Sequence, residues 1–315
     1  MKPSRLRTLL IGLTAGVAYA IFTTLLVSQF HQNVSVAYIF VLPLVLGAIP
    51  VLFSTKEQLK TYTSYIILPW GITLSSFLLM FVSGFEGLIC LVIIIVPFLL
   101  LGTLGTFVFR LIKLSYNHNQ NKLYASLLLP FVVLLAEANF SATDQFYTVK
   151  TVTQINAPSS RIWENIKNVK NIQDDEIPFH FGQIIGIPNP IDGRLSKDGV
   201  GGIRHIRWDK GIRFQEVIKT WQEGKGFSYD INVDPNSIPP TTLDEHVMIG
   251  GRYFDVIDGA YRIDSVSKTS SLVTLTCRYR ITTNLNLYAQ FWGDFMLNDF
   301  NEMILQIIKN RCEKL

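Results

Sequence analysis

Arg204 and Glu216 stand in two alternating runs, residues 202–208 and 212–221, joined by Asp209-Lys210-Gly211. A three-residue connection ending in a glycine able to take the left-handed conformation reads as a hairpin. If Trp208 opposes Ile212, then Ile206 opposes Phe214 and Arg204 opposes Glu216, on the face that also carries Trp208, Phe214 and Ile218. His205, Arg207, Arg213 and Gln215 would then point outward. An arginine and a carboxylate on an apolar face have two uses. The guanidinium would hold the head group of an otherwise apolar ligand, with Glu216 orienting it; or the two form a purely structural ion pair. A desolvated pair in a cleft is also a marker of functional sites. In a dry pocket Glu216 is in addition a candidate general base. Trp208, Phe214, Tyr229, Tyr253 and Trp292 are candidate walls for rings or acyl chains, and equally core aromatics.

Other chemistries find little support. His180, His205 and His246 match no zinc spacing, so no metal is expected. No serine or cysteine sits in a nucleophile motif. The glycines of 199–202 precede a strand rather than opening a helix, so they form a turn and cradle no phosphate; no cofactor is expected. Asp244-Glu245-His246 is either an acid–base cluster or a solvated loop. Cys90, Cys277 and Cys312 show neither metal spacing nor a disulfide framework, although Cys277 and Cys312 would be free to pair in an oxidising compartment.

These residues need a scaffold, and residues 147–169 announce one. Tyr147, Val149, Thr151, Thr153 and Ile155 share one face of a strand; Pro158 then stands where a helix can start, and Ile162, Trp163 and Ile166 follow at helical spacing. After a loop-rich stretch (168–199) and the hairpin come a strand at 227–233, a second long loop (234–251), and strands expected at 251–257, 261–266 and 272–282, with Asp258-Gly259 and Lys268-Thr269-Ser270 as turns. Residues 287–312 read as a long helix. Phe291, Phe295, Met296, Phe300, Met303, Ile304, Ile307 and Ile308 form its apolar stripe, with Asp299, Glu302, Gln306 and Lys309 opposite.

A strand running through Ala-Pro into a short helix centred on a tryptophan, then antiparallel strands and a long closing helix, resembles the START-like, Bet v 1-like superfamily (SRPBCC). Gly201-Gly202, Arg204, Gly211, Glu216 and Trp221 resemble a membrane-anchored branch of unknown function, whose members carry polyketide cyclase/dehydrase or lipid-transport labels. The resemblance implies a helix-grip α+β domain over 145–315, a curved antiparallel sheet wrapped on the C-terminal helix. It also implies a cavity between sheet and helix for a hydrophobic small molecule.

The chain before that domain has another solvent. Of 315 residues 49% are hydrophobic and 17% charged, and the mean hydropathy is +0.29. Residues 1–138 hold three of the 24 acids (Glu57, Glu86, Glu137) and eight of the 28 bases, so the net charge of +4 belongs to this half and gives no argument for nucleic acid. Apolar stretches at 8–27, 34–53, 62–82, 87–109 and 123–138 are expected to be transmembrane helices of a domain ending near residue 140; the fifth is short. Lys2, Arg5, Arg7, Lys56, Lys60, Arg110, Lys113 and Lys122 fall in alternate loops. By the positive-inside rule the N-terminus is cytoplasmic and the C-terminal domain lies across a plasma or inner membrane; if the fifth stretch only lies on the surface, the domain is cytoplasmic instead. Ala136-Glu137-Ala138 resembles a signal-peptidase site, but small residues at the end of an internal span are the ordinary reading of it. Asn33-Val34-Ser35 and Asn139-Phe140-Ser141 match the glycosylation pattern, very close to the bilayer. Membrane lipid is the expected partner. The function expected is a membrane-anchored, non-catalytic holder of a lipid or isoprenoid-like ligand, against a cyclase- or hydrolase-type enzyme or a ligand-free structural module.

Overall fold

The computed structural model describes residues 5–29, 35–60, 63–115, 124–239, 242–243 and 246–314. Lys2, Asn33, Val34, Tyr62, Lys122, Leu123, Asp244 and Glu245, all used above, lie outside the described residues. The chain divides into two compact units, 1–142 and 143–315.

The first unit is helical: α1 (Arg5–Gln29), α2 (Ala37–Phe53), α3 (Thr63–Val82), α4 (Leu88–Ser115) and α5 (Leu129–Glu137). Two helices among the described residues, Leu6–Gln29 and Leu88–Ser115, are long and apolar enough to cross a membrane; Ala37–Phe53, Ile67–Val82 and Tyr124–Glu137 are shorter apolar helices. α2 opens on a π-helical turn, Ala37–Val41, just ahead of Pro43. Charges borrowed from other helices close both of its ends. The Glu137 carboxylate accepts from the N–H groups of Val36 and Ala37, each at 2.8 Å. Lys113 Nζ donates to the carbonyls of Val51, Leu52 and Ser54 at 2.7, 3.0 and 2.8 Å. An acid at the N-terminus and a base at the C-terminus match the helix dipole and satisfy groups the helix itself leaves unbonded. α2 and α4 meet through small residues: a Cβ on Gly105 would sit 2.0 Å from the Leu44 carbonyl oxygen.

The second unit is a seven-stranded antiparallel sheet with helices on its concave face. Its strands are β1 (Thr143–Ile155), β2 (Pro190–Leu195), β3 (Ile203–Trp208), β4 (Arg213–Gln222), β5 (Gly226–Asn232), β6 (Phe254–Ser267) and β7 (Ser270–Thr283), in the order β1-β7-β6-β5-β4-β3-β2. α6 (Ser159–Lys167) follows β1 at Pro158 and buries Ile162, Trp163 and Ile166. The short α7 (Phe181–Ile184) sits in the loop before β2, and α8 (Asn286–Glu313) closes the chain. One core joins α6, the sheet and the second half of α8, where Met303, Leu305, Ile307 and Ile308 are almost wholly buried. This is the helix-grip arrangement that the resemblance implied. The β3–β4 hairpin has the register read from the sequence: Arg204 opposes Glu216 and Ile206 opposes Phe214. The loop turns through positive φ at Lys210 and Gly211, 51° and 86°.

Two expectations are corrected. Asp258-Gly259 is not a turn: β6 runs unbroken through it for 14 residues, with a bulge between Val256 and Asp258. The glycine serves close approach instead, because the ring of Tyr229, its cross-strand partner, lies over it, and a Cβ there would fall 2.5 Å from the Tyr229 hydroxyl. The stretch 168–199, read as mostly loop with short regular pieces, has such a piece in the edge strand β2, whose Pro190 is tolerated because an edge leaves ladder positions unused. The apolar stripe of α8 is not uniformly buried: Phe291 and Phe295 are exposed, and Asp299, expected toward solvent, is engaged with α7.

Gly259→Ala should lower stability by about 1–3 kcal/mol through overpacking. Measured by chemical denaturation, that cost should shrink in a Tyr229→Leu background; equal costs in both backgrounds would show that the ring is not the cause.

Candidate functional site

The strand period carries alternate residues of β3, β4, β5, β6 and β7 onto the concave face, and there they form a polar belt inside an aromatic core. Arg204 Nη1 donates to Glu216 Oε2 at 2.7 Å, and both side chains are buried. The guanidinium carbon lies 5.9 Å from the Phe227 ring centroid and 5.7 Å from that of Tyr261, a cation–π arrangement that compensates part of its lost hydration. On its other side stands Gly193 of β2, where a Cβ would come within 3.2 Å of Arg204 Nε and Nη2. Tyr229 packs against Phe227 and Tyr261, at 6.0 and 6.3 Å between ring centroids. Cys277 on β7 pairs with Gly259 in register, and its thiol donates to Asn301 Oδ1 of α8 at 3.3 Å. Asn301 is wholly buried, its Nδ2 has no hydrogen-bond partner among the described residues, and Arg204 Nε is likewise buried and without a partner among them.

Burial pushes the Glu216 carboxyl above the ordinary carboxylate range, with Arg204 pulling the other way. It opposes the charge on Arg204 too, but Glu216 and the two tyrosine hydroxyls outweigh it and hold the guanidinium protonated. Burial raises the Tyr261 hydroxyl to about 12 and, with Glu216 adding to it, the Cys277 thiol to about 12, so neither supplies an anion near neutrality. The belt is therefore a single charge pair of no net charge among neutral hydroxyl, thiol and amide groups.

The expected site residues are only partly gathered. Arg204, Glu216 and Tyr229 share the belt. Trp208 and Phe214 lie beside it on the same two strands, 5.5 Å apart, and Trp208 packs at a tilt on Phe300 of α8 at 4.7 Å. Tyr253 stands before β6, packed on His246 at 5.1 Å, and Trp292 stands in the first half of α8 between Phe291 and Phe295. These two belong to other aromatic groups. Cys277 and Cys312 are both free thiols. Sequence reasoning missed Phe227, Tyr261, Gly193 and Asn301. Phe227 and Tyr261 carried a usable signal, since both fall at alternating positions with Tyr229 and Ile263. So did Asn301, a lone amide within an apolar stripe at Leu297, Ile304 and Ile308.

A second knot ties the loop before β2 to α8. Asp299 accepts from the backbone N–H groups of Phe181 and Gly182 at 3.0 and 2.8 Å, capping α7. The same carboxylate meets His180 Nδ1 at 3.1 Å, while His180 Nε2 faces Asn189 Oδ1 at 3.3 Å. β2 itself is held by Asp192, which is buried under Arg194 and Arg207 and bonded to both.

No family model matches the chain, and no curated protein matches it. Among solved structures, truncated norcoclaurine synthase from Thalictrum flavum is similar at 12% identity, covering 56% of this chain and 99% of that one, with a TM-score of 0.34. The Zhui aromatase/cyclase from Streptomyces sp. R1128 is similar at 11% identity, 53% and 94% coverage and a TM-score of 0.33. Aha1 from Colwellia psychrerythraea follows at 14%, 53% and 96%, with 0.31.

Two predictions follow from the charges. Glu216→Leu or Arg204→Met alone should each cost about 3–5 kcal/mol, because either leaves an unmatched buried ion; urea denaturation measures it. For Asp192, the Arg207 hydrogen bond holds the carboxyl below the ordinary carboxylate range against the opposing effect of burial. The stabilisation this gives is present above the ordinary carboxylate pKa and is lost as pH falls through the depressed one. Asp192→Asn should thus melt earlier than the parent at neutral pH, and the gap should close on acidification. A gap constant with pH would contradict the assignment.

Proposed function

We propose that the chain is a membrane-anchored, non-catalytic holder of a hydrophobic small molecule, bound between the sheet and α8 with its polar end at the Arg204–Glu216 belt. The observation that carries this reading is the pair of buried, unpartnered donors, Arg204 Nε and Asn301 Nδ2, in a belt with no net charge. A core built for stability alone would not keep an unsatisfied amide on its central helix, where leucine fills a similar volume at no desolvation cost. Unused donors select a ligand with acceptor oxygens, and the internal neutrality of the pair selects against a charged head group. An ester, ketone, ether or alcohol on a lipid or isoprenoid-like body meets both conditions.

The aromatic walls of Trp208, Phe214 and Phe300 are the surfaces against which such a body would pack. The raised Cys277 and Tyr261 pKa values keep the thiol and the hydroxyl protonated near neutrality, and Glu216 is engaged by Arg204, which supports binding over nucleophilic chemistry. The apolar helices of the first unit support the anchoring, and the alternation of basic loops in the sequence supports a cytoplasmic N-terminus with the domain on the opposite face.

The test is extraction of the full chain from its native membrane followed by mass spectrometry of what co-purifies. A stoichiometric amphiphile with an uncharged, oxygen-bearing end is expected. Asn301→Leu should lose most of it while melting no earlier than the parent, because it removes a buried unsatisfied group. A folded parent free of any amphiphile, or an Asn301→Leu chain that keeps its full complement, would overturn the proposal.

A further inference from the structure

The first half of α8 carries large apolar side chains that the domain does not cover. Leu287, Phe291 and Phe295 follow at four-residue spacing along one face and are 84%, 63% and 43% exposed. The Phe181 ring meets Phe295 edge-on at 5.2 Å and joins the stripe to the loop around α7, where Phe179 and Ile184 are also exposed. The loop is no loose flap, since Asp299 and His180 pin it to α8. A rigid, contiguous apolar patch of this kind on a domain surface marks an interaction site.

Its place in the domain identifies what covers it. The stripe begins where the chain enters the domain: Thr143 pairs with Thr283, and Asn286 Nδ2 donates to the Thr143 carbonyl at 3.2 Å. Thr143 is five residues beyond Ala138, the C-cap of α5, a chain reach of about 18 Å at most. Phe140, within those five residues, is itself exposed. The composition suits a bilayer: residues 286–295 contain no lysine or arginine, and their one acid, Asp294, accepts from the Tyr279 hydroxyl.

We infer that the Leu287–Phe291–Phe295 face of α8, with Phe179 and Ile184, docks into the interfacial region of the bilayer that anchors the chain. The inference rests on the anchoring proposed above. Tethering supplies the high local concentration that lets a small apolar surface bind without charge attraction, so zwitterionic lipid suffices. Docked in this way, α8 presents the same helix to lipid with its first half and to the ligand belt with Asn301, which gives a hydrophobic ligand a short path between the two.

The experiment places a nitroxide on Phe291→Cys in the full chain, reconstituted in phosphatidylcholine vesicles. Collision rates with oxygen, which favours lipid, and with a water-soluble nickel chelate are then compared. Lys268→Cys in the exposed β6–β7 turn gives the water reference, and Leu100→Cys on the exposed side of α4 the lipid reference. The native cysteines are buried, and the unsubstituted chain serves as the blank. A label at 291 that favours oxygen, as at 100, with the opposite preference at 268, is the expected result. A label at 291 that behaves like 268 while 100 stays in lipid would overturn the docking and leave the anchor standing. A label at 291 shielded from both reagents would mean a protein surface covers the patch, which also overturns it. A water-exposed label at 100 would sink the anchoring and the docking together.

Discussion

Two opposite charges buried in an aromatic core impose the main constraint on the second unit. A guanidinium taken out of water needs a matched carboxylate, polarisable faces and room for its planar head. Each need is met by a different strand: Glu216 across the hairpin, the rings of Phe227 and Tyr261 from β5 and β6, and the missing side chain of Gly193 on β2. The pair is satisfied only if five strands curl around it in one register, and Asn301 completes the belt only if α8 lies in the hollow. The pair thus draws on the curvature of the strands around it, while α8 joins the belt through the Cys277 thiol and Asn301. Two donors are left over, and a stability-only account has no use for those.

The hairpin was legible because strand period and turn chemistry agree. Gly211 fixes the turn, the turn fixes the register, and the register puts Arg204 across from Glu216. The long last helix and the strand–Pro–helix opening were legible for the same reason of periodicity. Asp258-Gly259 misled because a glycine that avoids a collision and a glycine that makes a turn are the same letter; only the Tyr229 ring, thirty residues away in sequence, tells them apart. Asp299 misled because helical periodicity sorts residues by face but cannot show that another segment, α7, covers the polar one. The local pattern put Tyr261 and Asn301 on inward faces, but their meeting in one belt depends on pairings of distant strands and on the helix over them, which local periodicity does not encode.

The first unit uses charge differently. Glu137 and Lys113 close the two ends of α2, where backbone groups would otherwise face apolar surroundings unbonded. Residues that the sequence offers as a cleavage-like motif and as an orientation signal thereby acquire a local structural duty. The two units share a principle: each of the buried charges discussed is matched to a partner that burial makes necessary.

The central claim is that the Arg204–Glu216 pair is retained for a ligand rather than for the fold. The most direct measurement is the amount of co-purifying amphiphile per chain in the double variant Arg204→Met/Glu216→Leu, set beside its stability. Replacing both charges by apolar side chains of similar volume removes the desolvation cost along with the attraction, so the fold should be as stable as the parent or more so. The account predicts such a chain with its ligand gone. A double variant that retains its amphiphile, or one that unfolds where the parent binds none, would make the pair a structural element and contradict the account.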